Sequence, residues 1–206
     1  SNAITVQTMS SAEYISNPSS CGRAVGLIDV KIVDSEDPSK EVPPNTPGEV
    51  LIRGVTIMKE YLNKPEKTID SMSKDGWFRS GDIGRLDDTG ALYIMDRLKD
   101  LIIRGGENHF PAEIECVLVT HPNILQVAVV GLPDDKWGEI IAAFVLSDYV
   151  LDSTELRNHC RAYLSPQKTP STWVHVPDFP LTGSGKVQKF AIREKYLQGK
   201  YGKVLI

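Results

Sequence analysis

Three stretches of the sequence combine charged side chains with glycines in ways that suit sugar or phosphate chemistry. They are Gly76-Trp77-Phe78-Arg79-Ser80-Gly81-Asp82-Ile83-Gly84, then Asp96-Arg97-Leu98-Lys99-Asp100-Leu101-Ile102-Ile103-Arg104-Gly105-Gly106-Glu107-Asn108, then Pro180-Leu181-Thr182-Gly183-Ser184-Gly185-Lys186-Val187. Asp82 stands between two glycines after an aromatic pair. An ionised carboxylate there can accept from two neighbouring hydroxyls, as in a ribose diol; it can equally cap its own turn. Arg97 offers a planar fork for a hydroxyl or phosphate, or belongs with Lys99 to a solvated charge cluster. Gly105-Gly106 either lets a ligand approach the backbone closely or simply turns the chain. Lys186, on a glycine-rich loop, carries a compact ammonium suited to charge developing on a transferring phosphate, or is a plain surface lysine.

Other chemistries fail on spacing. Gly183-Ser184-Gly185-Lys186 is not a nucleotide-triphosphate loop: that motif needs glycine where Pro180 stands and Ser or Thr where Val187 stands. There is no G-x-S-x-G and no H-E-x-x-H, and His109, His121, His159 and His175 show no ligand spacing. Asn17-Pro18-Ser19 is no glycosylation acceptor, because proline occupies its middle position. Cys21, Cys116 and Cys160 are odd in number and far apart, which argues against a disulfide framework or a zinc site and for small apolar residues in a reducing compartment.

The elements that must position these residues change character near Asp96–Lys99. Before it, strands and turns dominate. Residues 25–33 carry the alternation Ile28, Val30, Ile32 of a half-buried strand, and 43–48 are dense in proline and glycine. A strand over Glu49–Arg53, a short helix opened by Pro65, strands over Trp77–Ser80 and Leu92–Met95, and a turn at Asp87-Asp88-Thr89-Gly90 follow. After it, a strand over Leu101–Ile103, a helix from Pro111 to about Val119 and apolar strands over Leu125–Val130 and Ile140–Leu146 are expected. A helix capped by Asp152 with Glu155 as its box partner runs on to about Leu164, then come a strand over Trp173–Val176 and a helix over Ala191–Leu197. The fold expected is α+β: a strand-rich subdomain over 4–96, then a small mixed α+β domain with a short central sheet over 97–206.

The 206 residues allow one or two domains. A net charge of −4 with scattered lysines and arginines argues against a nucleic-acid partner. No run approaches the roughly 20 apolar residues needed to span a bilayer, and no signal peptide is visible. Ser1-Asn2-Ala3 reads as an expression-tag scar, so the natural chain is expected to start upstream.

Taken jointly and in order, the three stretches resemble signature motifs of the adenylate-forming superfamily, over essentially residues 20–195. Pro133-Asp134-Asp135-Lys136-Trp137-Gly138-Glu139 adds a fourth match, similar to the acyl-CoA synthetase branch. The resemblance implies that ATP, taken with Mg, activates a carboxylic acid (fatty or aryl) to an acyl-adenylate, and that coenzyme A then displaces AMP. It implies that Asp82 and Arg97 hold the ribose, that Ile94 touches the nucleoside, and that Lys186 enters the site for adenylation. It places the hinge between domains at Lys99, the pantetheine passage at Gly105 and Gly106, and weaker coenzyme A contacts at Asn108, Arg161 and Lys168. It also implies that the phosphate loop, the magnesium-holding glutamate and the acyl pocket lie upstream, in an N-terminal part of the same chain that acts as partner. These residues alone are then expected not to adenylate, and no metal ligand is expected among them. Asp96 departs from the glycine of many relatives. Another adenylate-former, such as a peptide-synthetase adenylation domain or a luciferase-like enzyme, and a non-catalytic binding module remain as alternatives. The need for ATP and coenzyme A gives a cytoplasmic location as the default.

Overall fold

A computed structural model describes residues 6–7, 10–149 and 151–201. Ser1-Asn2-Ala3 and the expected domain limits at 4 and 206 lie outside the described residues. The chain divides into two compact units, Ser1–Lys99 and Asp100–Ile206.

The first unit is a six-stranded antiparallel sheet in the order β1-β2-β6-β5-β4-β3. Its strands are β1 (Val6–Gln7), β2 (Gly22–Ala24), β3 (Ile28–Val33), β4 (Gly48–Gly54), β5 (Phe78–Leu86) and β6 (Ala91–Arg97), with helices α1 (Ser11–Ser16) and α2 (Pro65–Ser71) in the connections. Successive side chains on a strand point to opposite faces, and both faces carry apolar clusters. Ile32, Val50 and Leu92 form one; Val33, Leu51 and Trp77 form the other. Lys31 and Arg53 each place their charge 4.4 Å from the Trp77 ring centroid. The expected turn at 87–90 joins β5 to β6. The Asp87 carboxylate accepts from the Thr89 hydroxyl (2.7 Å), from the Thr89 and Ala91 amides (2.8 and 3.0 Å) and from the Tyr93 hydroxyl (3.1 Å). These bonds, the Thr89 hydroxyl foremost, hold its carboxyl down at about 2. The turn therefore keeps its anchor until the pH falls through that value.

The second unit is built on β10 (Gly138–Leu146). β9 (Gln126–Asp134) pairs antiparallel along its whole length, and β11 (Thr172–His175) pairs parallel through residues 142–145. The short hairpin β7 (Ile102–Arg104) and β8 (Glu107–His109) joins the sheet through the single register pair Gly138–Arg104. Helices α3 (Pro111–Leu118), α4 (Ser153–Arg161) and α5 (Lys189–Leu197) complete the unit. Ile141, Ala143 and Val145 face a core shared with Ile114, Leu118 and Leu156 of α3 and α4. Ala142 and Phe144 face one shared with Ile192 of α5. A strand covered on both faces reads as a continuous apolar run, which is why Ile140–Leu146 shows no alternation.

The structure differs locally from the sequence reading. β5 runs to Leu86, well past Ser80, so Asp82 lies within a strand. α1, β1, β2 and β8 are elements that the sequence reading did not foresee. Asp152 caps α4 by accepting from the Thr154 amide at 2.8 Å, but Glu155 does not close the box; its carboxylate lies 3.1 Å from His121 Nε2. α4 stops at Arg161, short of Leu164.

Glu49, only 2% exposed, sits inside the first unit against the Arg79 guanidinium at 2.6 and 3.0 Å. A buried carboxylate stripped of its partner is costly. The variant R79M should therefore lose about 3 kcal/mol of first-unit stability, read from urea unfolding followed by Trp77 fluorescence. An unchanged midpoint would show that Glu49 does not depend on this pair.

Candidate functional site

The backbone around Asp82 is irregular on both sides. Between the pairs Glu49–Ile83 and Leu51–Arg79, β4 spends Val50 alone while β5 spends Ser80, Gly81 and Asp82, so these three arch out of the ladder. Gly81 turns the arch with φ +69°, a conformation in which glycine carries no penalty. On the other side, Gly84–Ile94 is followed by Ile83–Asp96 and Asp82–Arg97, so Met95 is the extra residue of a bulge. The outcome is an ion pair between Arg97 and Asp82 at 2.9 Å, with the carboxylate part-buried and the guanidinium about half exposed. The Asp82 amide donates to Ser80 Oγ at 3.0 Å, and Arg97 also reaches the Ser80 carbonyl at 3.5 Å. Burial pushes the Asp82 carboxyl above its ordinary value, while the Arg97 charge and Ser80 pull the other way.

Ile94 is exposed on β6, 43% accessible, and so is available to a ligand on that strand. Lys99 is the exposed centre of a short 3-10 turn, Leu98–Asp100, and the last residue of the first unit. A cavity of about 750 Å³ in the first unit is lined by Lys31, Leu51, Ile69, Trp77 and Arg79 among others, and not by Asp82, Ile94 or Arg97.

In the second unit Gly105 and Gly106 form the two-residue loop of the β7–β8 hairpin, both with positive φ (60° and 82°), as a twist-matched hairpin requires. Asn108 lies exposed on β8 opposite Ile103. The hairpin rests on the 133–139 segment. Asp134 folds that segment by accepting from the Lys136 and Trp137 amides at 3.0 and 2.9 Å. The Trp137 carbonyl then receives the Gly105 amide at 2.8 Å. A Cβ on Gly105 would lie 3.0 Å from the Trp137 ring, whereas one on Gly106 would meet nothing. A cavity of about 160 Å³ opens beside the loop, lined by Arg104, Gly105, Glu107, His109, Trp137 and Gln167. His109 is buried there with neither ring nitrogen bonded, and burial holds its imidazole below the ordinary value. Arg104 stacks on Trp137 at 5.2 Å and donates to the Gln167 carbonyl at 2.8 Å.

Lys186 sits on a closed finger rather than a loose loop. Leu181 bridges Val187, the Thr182 amide donates to the Lys186 carbonyl at 2.8 Å, and the Lys186 amide donates to Thr182 Oγ1 at 3.1 Å. The side chain itself is exposed and has no salt-bridge partner among the described residues. Lys168 is engaged: its ammonium meets both Glu113 oxygens at 2.6 and 2.7 Å. Arg161 is exposed at the end of α4.

Of the residues singled out, then, Asp82 and Arg97 meet directly, with Ile94 on the same strand as Arg97. Gly105, Gly106 and Asn108 share one hairpin, and Arg161, Lys168 and Lys186 stand on separate segments of the second unit. Trp137, Glu139, Arg104 and His109 also build the hairpin's surroundings. Trp137, Glu139 and Arg104 lie inside quoted motifs without a role; His109 gives no signal in spacing. Among the described residues no group of three or more His, Cys, Asp or Glu side chains could hold a metal, and no helix is long and apolar enough to cross a membrane.

Comparison with known proteins matches residues 2–62 to the AMP-binding enzyme family and residues 113–186 to the AMP-binding enzyme C-terminal domain. The long-chain-fatty-acid–CoA ligase FadD13 of Mycobacterium tuberculosis is 42% identical over 187 residues, covering 90% of this chain and 36% of that protein. The o-succinylbenzoate CoA synthetase MenE of Bacillus subtilis, solved with its acyl-adenylate intermediate, superposes with a TM-score of 0.83 at 31% identity over 95% of this chain and 39% of that one. ATP-bound MatB of Rhodopseudomonas palustris superposes with a TM-score of 0.79 at 33% identity, over 88% and 36%. The chain thus spans just over a third of the length of the curated relative FadD13, 36% of it.

Two outcomes test this geometry. In an NMR titration the Asp82 carboxyl should ionise above the ordinary aspartate value, and R97M should move it higher by removing the opposing charge; a downward move would contradict the pairing. G105A should destabilise the hairpin by about 1–2 kcal/mol for the left-handed backbone, and by more than G106A, because only the former also meets Trp137. Equal losses on thermal unfolding would mean that the ring gives way.

Proposed function

The chain belongs to the adenylate-forming superfamily, and from that membership we propose that it supplies the ribose grip and the mobile lobe of an AMP-forming acyl-CoA ligase. In the proposed reaction a carboxylate oxygen attacks the α-phosphorus of ATP and pyrophosphate leaves. The thiolate sulfur of coenzyme A then attacks the acyl carbon, and AMP departs with the bonding pair. The pairing of Asp82 with Arg97 across the bulge carries the reading: one acceptor-only carboxylate and one donor fork, part-buried together, suit a vicinal diol. The names of the similar proteins, a fatty-acid–CoA ligase and a succinylbenzoate CoA synthetase, support it further.

Asp82 accepts from the ribose hydroxyls, Arg97 orients that carboxylate and donates to the sugar, and Ile94 lies against the nucleoside. Lys186 brings its ammonium to the α-phosphate as negative charge gathers there. Lys99 is the pivot at which the second unit turns to exchange Lys186 for the Gly105–Gly106 hairpin, leaving both units rigid. The hairpin passes the pantetheine arm, since its glycines present no side chain; Asn108, Arg161 and Lys168 lie toward the coenzyme A nucleotide. Lys168 would have to share its charge between a phosphate and Glu113. ATP enters with Mg, whose ligands and the acid pocket belong to a further segment of a longer protein. The acid is fatty or aryl, and the location is cytoplasmic, where both ATP and coenzyme A are at hand.

The test is K186A in the full-length enzyme. Pyrophosphate exchange should fall about 10²–10³-fold, the size expected for losing one preorganised charge contact, while conversion of supplied acyl-adenylate to thioester is largely spared. Equal losses in both half-reactions, or none, would sink the assignment.

A further inference from the structure

We infer that Glu139 is a positioning residue for the Gly105–Gly106 hairpin, with its carboxylate held in aim by Arg193. The hairpin is poorly anchored as a strand pair, since β7 meets β10 at one register pair only. In a two-residue hairpin the pair flanking the loop, Arg104–Glu107, is the hydrogen-bonded one, so the Ile103 amide of the next pair points away from β8. It donates to a side chain, Glu139 Oε2 on β10, at 3.0 Å. The other carboxylate oxygen meets Arg193 on α5 at 3.3 Å.

Space for this arrangement is reserved on β9. A Cβ added to Gly131 would lie 2.8 Å from Glu139 Oε2 and 2.9 Å from Oε1, so the carboxylate lies flat over that glycine. An ion pair as exposed as Arg193–Glu139, with side chains 44% and 25% accessible, contributes little to stability. Its effect is to fix the direction of a carboxylate whose other oxygen has structural work to do. Together with the Gly105 amide on the Trp137 carbonyl, the Ile103 bond seats the hairpin on the 133–139 segment at two amides, two residues apart.

The functional consequence rests on the reading under Proposed function; the placement itself does not. The experiment uses E139A, E139Q and G131A in the full-length enzyme. Amide hydrogen exchange at Ile103 and Gly105 is measured in each, with the rates of adenylate formation and of thioester formation from supplied acyl-adenylate. E139A should speed exchange at Ile103 and slow thioester formation by about ten- to a hundredfold, as for a passage displaced by about 1 Å, with adenylate formation little changed. E139Q keeps an acceptor oxygen and should restore most of both. G131A, which pushes the carboxylate aside without removing it, should reproduce E139A. Unchanged Ile103 exchange in E139A, or equal losses in both half-reactions, would overturn the inference. A wild-type enzyme that forms no thioester would instead overturn the coenzyme A reading, while exchange at Ile103 still decides the placement.

Discussion

The electrostatics of the first unit depend on one surplus residue in β6. If the β5–β6 ladder kept the register of Gly84–Ile94, Asp82 would stand opposite Asp96, and two carboxylates facing each other across a strand pair repel. Met95 shifts the register by one and puts Arg97 there instead. The shift has little freedom to slip. The turn beyond it is pinned by the many bonds of Asp87, and at the bulge Gly84 lets the strands close up, since a Cβ there would lie 2.7 Å from the Tyr93 carbonyl. An aspartate that would otherwise have a like charge for a neighbour thus gains a cation, on an arch that keeps it clear of β4.

The second unit solves a different problem, that of holding a side-chain-free loop in place. Glycine confers access but no anchorage. The anchorage is supplied by the turn from β9 into β10, through the carbonyl and ring of Trp137 and the carboxylate of Glu139 at the start of β10. This gives a physical account of the 133–139 motif, which the sequence marks only by its resemblance to the acyl-CoA synthetase branch.

Much of this architecture was legible from the residues. Period-two alternation exposed β3, and an unbroken apolar run exposed β10, because burial on one face or two leaves different patterns. Proline and aspartate marked the starts of α2, α3 and α4. The short strands β1, β2 and β8 escaped notice because a pair or triplet of residues carries no period. At the site, glycine spacing pointed to Asp82 and to the Gly105–Gly106 loop, yet not to the bulge: nothing in the order Ile94-Met95-Asp96 says which residue will be skipped. Glu155 misled for a related reason, since a capping box and a long-range partner such as His121 draw on the same side chain.

The finger that carries Lys186 has a thermodynamic consequence. Its backbone is closed by its own hydrogen bonds, through the Thr182 amide and hydroxyl. In the role proposed for Lys186, where its ammonium would settle on a phosphate, the main chain has little freedom left to surrender. The ordering penalty then falls chiefly on the side-chain torsions, about 2 kcal/mol for a lysine, instead of on several backbone residues at about 1–2 kcal/mol each. A pliable glycine loop would forfeit much of its electrostatic gain on each visit; a pre-folded one keeps most of it.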